Sequence, residues 1–181
     1  MSDGSRVLIT GGAGFIGSHL ADALLARGYR VRVLDCLSEQ VHGDISGFPA
    51  YLASAVEAYR GDIRDRRDVE RALAGVDAVF HFASAVGVGQ SMYEIEKYVD
   101  INNRGTAVLL EALVRRPINK LVVASSMSVY GEGLYRGSDG TVRAPRPRGL
   151  GQLKAGRWDV VDDHGRALQP LPTPEDKTPM P

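Results

Sequence analysis

Val7-Leu8-Ile9-Thr10-Gly11-Gly12-Ala13-Gly14-Phe15-Ile16-Gly17-Ser18-His19-Leu20 is the stretch that decides the fold. Its short apolar run reads as a buried strand, which breaks into a glycine-rich turn and resumes with helical spacing. The glycines at 11, 14 and 17 each answer a steric demand. Gly11 permits the sharp strand-to-helix turn, Gly14 leaves the backbone open to a pyrophosphate, and Gly17 lets the new helix lie close. The unpaired N–H groups of the first helical turn, those of Phe15 and Ile16 among them, join the helix dipole in favouring an anion at that point. With a strand before and a helix after, the pattern predicts a nucleotide-phosphate site.

Working outward, the helix is expected over about residues 14–27, with Phe15, Ile16, Leu20, Leu24 and Leu25 on one face and Gly28 ending it. Residues 30–35 form the second strand, and Asp35 at its tip lies eighteen residues beyond Gly17. An acid there accepts hydrogen bonds from adenosine ribose hydroxyls and repels a 2′-phosphate, which argues for NAD over NADP. Residues 36–53 read as irregular and polar. A short third strand near 56–59 closes on Gly61-Asp62-Ile63-Arg64-Asp65, where an acid can face an adenine amino group and Asp62 or Asp65 can also cap the next helix.

The fourth strand is expected in Asp77–Ala85, where small residues at 83–85 let a cofactor lie across the strand end and His81 reads as a packed strand histidine. An amphipathic helix follows over about 94–115 and stops before Pro117. The fifth strand, 120–124, leads into Ser125-Ser126-Met127-Ser128-Val129-Tyr130-Gly131. Alternating strands and helices require an α/β fold, a Rossmann-type doubly wound parallel sheet with helices on both faces. Ligands of such sheets sit beyond the carboxyl ends of the strands, the edge at which the glycine loop, Asp35, Asp62, Ala83 and Ser125-Ser126 all fall.

The chain has 181 residues, enough for one domain with a sizeable core. Lysine and arginine total 22, as do aspartate and glutamate, so bulk charge gives no reason to expect nucleic acid as a partner. The single cysteine, Cys36, forms no disulfide within the chain and suits a reducing compartment. Met1-Ser2-Asp3-Gly4 leads straight into the first strand, and the apolar runs are strand-length. The expectation is therefore a cytoplasmic protein with no membrane span. Residues 1–131 are expected to form the nucleotide-binding domain. Residues 132–181 read as an irregular insertion rich in Gly, Pro, Arg and Asp, with a small ribbon around Trp158, Val160 and Val161 turning at Asp163-His164-Gly165. Asp139, Asp162, Asp163 and His164 lack metal-ligand spacing, so no metal is expected.

Thr10–Gly17, Gly61-Asp62-Ile63, His81-Phe82-Ala83, Asn102 with Gly105-Thr106, and Ser125–Gly131 together resemble the extended short-chain dehydrogenase/reductases, the group of nucleoside-diphosphate-sugar epimerases and dehydratases. Val86–Ser91 and the insertion after Tyr130 look most like sugar 4-epimerases acting on UDP- or dTDP-sugars. The resemblance implies an NAD cofactor held by Gly11, Gly14, Phe15, Ile16, Gly17, Asp35, Asp62 and Ile63. It adds Phe82, Ala83, Ser84, Asn102 and Ser125 to that set. It makes Ser126, four residues before Tyr130, the serine that hydrogen-bonds the substrate oxygen, and it implies a nucleotide-sugar substrate and a homodimer for the intact enzyme. It also implies a catalytic Tyr-x-x-x-Lys after the fifth strand. Tyr130 is followed at that spacing by Leu134 and Tyr135 by Asp139, while Tyr93–Lys97 falls on the wrong helix. In the resembling enzymes a phrase like Thr173–Pro181 comes just before the missing pair, so the expectation is an N-terminal part that lacks the catalytic helix and substrate domain. Some relatives carry cysteines in a loop resembling 135–165. Here Gly137-Ser138-Asp139 and Asp162-Asp163-His164 stand in those turns, so no metal is carried over.

Overall fold

The computed structural model describes residues 4–179. Packing divides the chain into two units, Met1–Ala124 and Ser125–Pro181. The first opens with β1 (Arg6–Thr10), α1 (Phe15–Leu25) and β2 (Arg30–Asp35). It continues with α2 (Glu39–His42), β3 (Glu57–Arg60), α3 (Arg66–Ala72) and β4 (Ala78–His81). The chain then forms α4 (Val88–Ser91), α5 (Ile95–Tyr98), a π-helical segment Val99–Arg104, α6 (Gly105–Arg115) and β5 (Lys120–Val123). The sheet is parallel throughout, in the order β3-β2-β1-β4-β5.

Period-two alternation in β1 sends its side chains to opposite faces, and each face has its own core. Leu8 joins Leu34 and Val79 beneath α3 and α6, where Val69, Leu73, Leu109 and Ala112 are buried. Val7 and Ile9 join Val31 and Val33 beneath Ala21 and Leu24 of α1. Helices therefore cover both faces, as the alternation of elements requires. The chain winds outward from β1 to β3 and then crosses back to β4, which puts a crevice beyond the carboxyl ends of β1 and β4.

Three sequence expectations change here. Phe15 and Ile16 are not on the buried face of α1: they are 79% and 66% exposed, and Gly17, Ser18, Ala21 and Leu24 are buried instead. Small residues win that face because Gly17 packs on the glycine turn itself, where a Cβ would come within 2.6 Å of Gly11 O and Gly12 Cα. The helix expected over 94–115 is broken by the π-helical segment Val99–Arg104. Residues 36–53 are less irregular than their composition suggests, since Leu37 is buried and Phe48, Leu52 and Ala53 pack against the α1-side core.

The second unit begins with a 3-10 turn, Met127–Tyr130, followed by β6 (Leu134–Arg136), β7 (Val142–Arg143), α7 (Leu150–Lys154) and β8 (Gln169–Leu171). Rather than an irregular insertion, the segment carries a three-stranded antiparallel sheet ordered β7-β6-β8. Val161 and Ala167 form an isolated bridge across the 162–165 turn. Two of its turns are braced alike. Asp139 accepts from Thr141 N and Oγ1 at 3.0 and 2.7 Å and pairs with Arg143 at 2.7 Å. Asp162 accepts from the N–H groups of His164 and Arg166 and pairs with Arg166 Nε at 2.8 Å. Local bonds, not long-range packing, fix these turns.

The Thr141 hydroxyl and N–H, with Arg143 beside them, hold the Asp139 carboxyl at a pKa of about 2. An unfolded aspartate titrates near ~3.9, so the brace stabilises fully above that pH and weakens as pH falls toward the folded value. The Thr141 amide resonance should therefore titrate with a midpoint close to about 2. A midpoint near the unperturbed value would show that the brace does not form in solution.

Candidate functional site

The glycine turn, the tip of β2 and the exit of β4 meet at the crevice. Gly11 N–H donates to Leu34 O at 2.8 Å, and Gly11 has φ +67°. Its absent side chain would lie 2.8 Å from Ala83 N, so the turn rests directly on the β4 exit. Gly14 caps α1 without a side-chain bond, and no acid lies in the first helical turn. A Cβ on Gly14 would meet only Gly11 O, at 3.3 Å. This is an anion cradle with an open mouth: uncapped N–H groups, a positive helix end, and no carboxylate to compete.

Asp35, at the tip of β2, lies beside the glycine turn. Its Oδ2 accepts from Ala13 N at 3.0 Å and its Oδ1 from Leu37 N at 2.9 Å. Each oxygen keeps one further accepting position. Leu37, at φ +55°, is a buried non-glycine residue in the left-handed region, and the Asp35 bond helps to hold it there. Tyr51 donates to Ala13 O at 2.7 Å, and His42 sits between Tyr51 and Asp35. Ala13 is thus held at both its N–H and its carbonyl.

The β4 exit is tied down by a buried hydrogen-bond chain. Thr10 Oγ1 accepts from Phe82 N and Ala83 N, both at 3.2 Å, so its own proton points to His81 Nδ1 at 2.7 Å. His81 Nε2 then donates to Thr106 Oγ1 at 2.9 Å, and that hydroxyl donates to Asn102 O at 2.5 Å. The partners assign one tautomer along the whole chain. Burial lowers the His81 pKa, which keeps the ring neutral and the chain intact near neutral pH. His81 is the packed strand histidine that its position suggests.

Asn102 clamps the backbone of Ala85, accepting from its N–H at 2.8 Å and donating to its carbonyl at 3.1 Å. Its side chain shapes the β4 exit. Phe82 packs on the α1-side core, and Ser84 is exposed beside it. Ile63 is a core residue whose side chain lies where a Cβ on Gly105 would be, so that side chain is committed to packing. Asp62 is engaged by Arg64, whose Nε and Nη2 reach its two oxygens at 2.9 and 2.6 Å, and this bonding lowers its pKa. Asp65, not Asp62, caps α3, through Arg67 N at 2.8 Å. Arg64 also pairs with Asp100 at 2.6 Å and ties the β3 exit to the π-helical segment.

Ser125 and Ser126 belong to the second unit, where Ser126 Oγ accepts from Ser128 N at 3.1 Å and caps the 3-10 turn. Lys97, in the one Tyr-x-x-x-Lys match, is paired with Glu94 at 2.6 Å, and Tyr93 is exposed. Among the described residues no group of three His, Cys, Asp or Glu side chains is placed to hold a metal ion. No helix among them is long and apolar enough to cross a membrane. Sequence reading missed the Thr10–His81–Thr106 chain and the Tyr51–His42 contact with Asp35. Thr10, His81 and Thr106 each stood in a motif, but no spacing joins the three, and His42 and Tyr51 stood in none.

A doubly wound sheet with an uncapped glycine turn and a carboxylate at the tip of its second strand defines a dinucleotide-binding α/β protein. The sequence profile of the NAD dependent epimerase/dehydratase family matches residues 7–148, and the chain belongs to that family. It is 35% identical over 180 residues to a dTDP-L-rhamnose 4-epimerase of Burkholderia thailandensis, covering 97% of this chain and 48% of the relative. A UDP-glucose 4-epimerase of Neisseria meningitidis is 40% identical over 129 residues, 70% of this chain and 38% of that enzyme. The solved Thermus thermophilus UDP-glucose 4-epimerase, in complex with NAD, superposes with a TM-score of 0.61 at 32% identity. That match covers 91% of this chain and 44% of the enzyme. The chain thus spans about half the length of these relatives or less.

Proposed function

We propose that the chain is the cofactor-binding half of an NAD-dependent nucleotide-sugar 4-epimerase acting on a UDP- or dTDP-linked sugar. The observation that carries this reading is the cradle itself, with an uncapped α1 N-terminus at Gly14 and an Asp35 carboxylate that keeps acceptor capacity for a ribose diol. The 4-epimerase names of the relatives supply the reaction class. When bound, NAD supplies a hydride acceptor and donor for a sugar carbon. The chain's own residues cradle the pyrophosphate at Gly11, Gly14, Phe15, Ile16 and Gly17. Asp35 takes the adenosine ribose, Asp62 the adenine amino group, and Phe82, Ala83 and Ser84 border the cofactor at the β4 exit. Ile63 and Ser125 contribute through their positions at the β3 and β5 exits, Asn102 by fixing Ala85, and Ser126 by holding the substrate oxygen.

Ser126 is followed by Met127-Ser128, where a dehydratase would need carboxylates for acid–base elimination, and this favours epimerisation. We place the protein in the cytoplasm and assign the intact enzyme a homodimer built on the 95–115 helical run, where Val99, Leu110 and Val114 are exposed. The test is calorimetric titration of the chain with NAD, NADP and NADH, followed by an epimerisation assay on UDP- and dTDP-hexoses with the chain extended to the length of its relatives. NAD binding, and C4 interconversion without added cofactor, are the expected results. No NAD or NADH binding at high micromolar concentration overturns the reading.

A further inference from the structure

We propose that Arg64 is a positioning residue for adenine recognition: it locks the Asp62 carboxylate in one orientation and leaves it a single acceptor position for the 6-amino group. The inference rests on the NAD reading above, with Asp62 as the adenine acceptor. Asp62 stands just beyond β3 at the same sheet edge as Asp35, and the N–H of its neighbour Gly61 donates to Asp35 O at 3.0 Å. The Asp62 backbone is held on both sides. Its N–H donates to Asp68 Oδ2 at 2.9 Å, and its carbonyl accepts from Asp65 N at 3.0 Å.

Three bonds from Arg64 hold the side chain. Oδ1 accepts from Arg64 N at 2.8 Å and from Nε at 2.9 Å, and Oδ2 accepts from Nη2 at 2.6 Å. A carboxylate offers about four acceptor positions, two on each oxygen, so the position left over lies on Oδ2. The planar guanidinium fork fixes the plane of the carboxylate as well as its charge, which a lone ammonium does not do. Arg64 is itself anchored. Its Nη1 donates at 2.6 Å to Asp100 Oδ2, in the first turn of the π-helical segment, and Arg104 pairs with the other Asp100 oxygen at 2.9 Å.

Folding stability does not account for this arrangement. The Arg64 and Asp62 side chains are 34% and 32% exposed, and ion pairs that wet add little. What the three bonds supply is an acceptor already aimed before a ligand arrives. An adenine 6-amino group can donate to it. A 6-oxo purine presents an acceptor oxygen instead, and a carboxylate that cannot turn aside rejects it. Arg64 therefore sets the selectivity for adenine rather than affinity in general.

The test titrates the chain with NAD and with nicotinamide hypoxanthine dinucleotide, which carries a 6-oxo group in place of the amine. Wild type, Arg64→Ala, Arg64→Lys, Asp62→Ala and the double variant Asp62→Ala/Arg64→Ala are compared, with melting temperatures alongside. Wild type should prefer NAD by roughly tenfold, the scale of one hydrogen bond to a charged group. Arg64→Ala and Asp62→Ala should each lose most of that preference. Arg64→Lys keeps the charge without the fork and should not regain it; this variant carries the comparison should Arg64→Ala fail to fold. Because Arg64 acts through Asp62, the double variant should lose no more preference than Asp62→Ala. A preference kept by Arg64→Ala or Arg64→Lys, with both affinities lowered by one factor or by none, overturns the proposal. So does a further loss of preference in the double variant. A preference kept by Asp62→Ala, or absent in wild type, overturns Asp62 as the adenine acceptor and the proposal with it. A wild type that binds neither dinucleotide is a separate result, and it overturns the NAD reading itself.

Discussion

Gly11→Ala, the addition of one methyl group, should destabilise the sheet unit by about 2–5 kcal/mol and abolish NAD binding at concentrations that saturate the wild type. Two costs combine. At φ +67° an L side chain carries a penalty of roughly 1–2 kcal/mol. The new Cβ would also stand 2.8 Å from Ala83 N and 2.9 Å from Ala83 Cα and Phe82 C, all of them backbone atoms with no rotamer to change. The β4 exit must then shift, and with it the N–H groups of Phe82 and Ala83 that Thr10 Oγ1 accepts. Forced overpacking of this kind costs roughly 1–3 kcal/mol. Gly43→Ala shows a backbone cost alone, because Gly43, at φ +70° and ψ −165° in a region essentially reserved for glycine, has nothing within 4 Å of a built Cβ. Urea unfolding followed by circular dichroism should give Gly43→Ala only the backbone penalty. A Gly11→Ala loss no greater than the backbone penalty of roughly 1–2 kcal/mol would show that the approach to Ala83 has no energetic weight.

Asp35→Ala should weaken NAD binding by roughly 1–3 kcal/mol, about 5- to 150-fold, and narrow the preference over NADP. The binding loss is that of a charge-assisted acceptor for a ribose hydroxyl. The structure adds a second consequence. The same carboxylate satisfies the Ala13 and Leu37 N–H groups, so its removal leaves two donors in a nearly dry site and costs stability as well. Asp35→Asn should fall between, since its amide keeps one acceptor oxygen while its NH₂ faces a backbone donor. Calorimetry with NAD and NADP, alongside melting temperatures, distinguishes these effects. NAD affinity unchanged in Asp35→Ala would remove Asp35 from the site.

Most of the nucleotide-binding unit was legible because its elements carry short-range signals. Val7–Ile9 is an apolar run and Val31–Leu34 is one interrupted only by Arg32; both lie in strands buried on two faces. Asp35 was readable because a fixed chain length separates it from the glycine turn across one helix. Phe15 and Ile16 depart from the buried face expected of them for a physical reason. Apolarity marks a core face only where something packs on it, and the first turn of α1 projects to the open side of the cradle. Residues 132–179 gave no periodicity because β6, β7 and β8 are two or three residues long. Sheets of such strands are fixed by turn bonds such as those of Asp139 and Asp162, which leave little trace in a hydrophobic pattern.

The glycine spacing, the alternation of strands and helices, and the acid at residue 35 were properties of the sequence alone, since each arises from local geometry within one βαβ unit. Tertiary structure decided which polar groups work together. Thr10, His81 and Thr106 lie far apart in the chain and become one hydrogen-bond chain only when β4 pairs with β1 and α6 packs above them. His42 and Tyr51 meet Asp35 and Ala13 only once residues 36–53 fold back over the glycine turn. Contacts of that kind follow from closing long loops, and no spacing in the sequence encodes them.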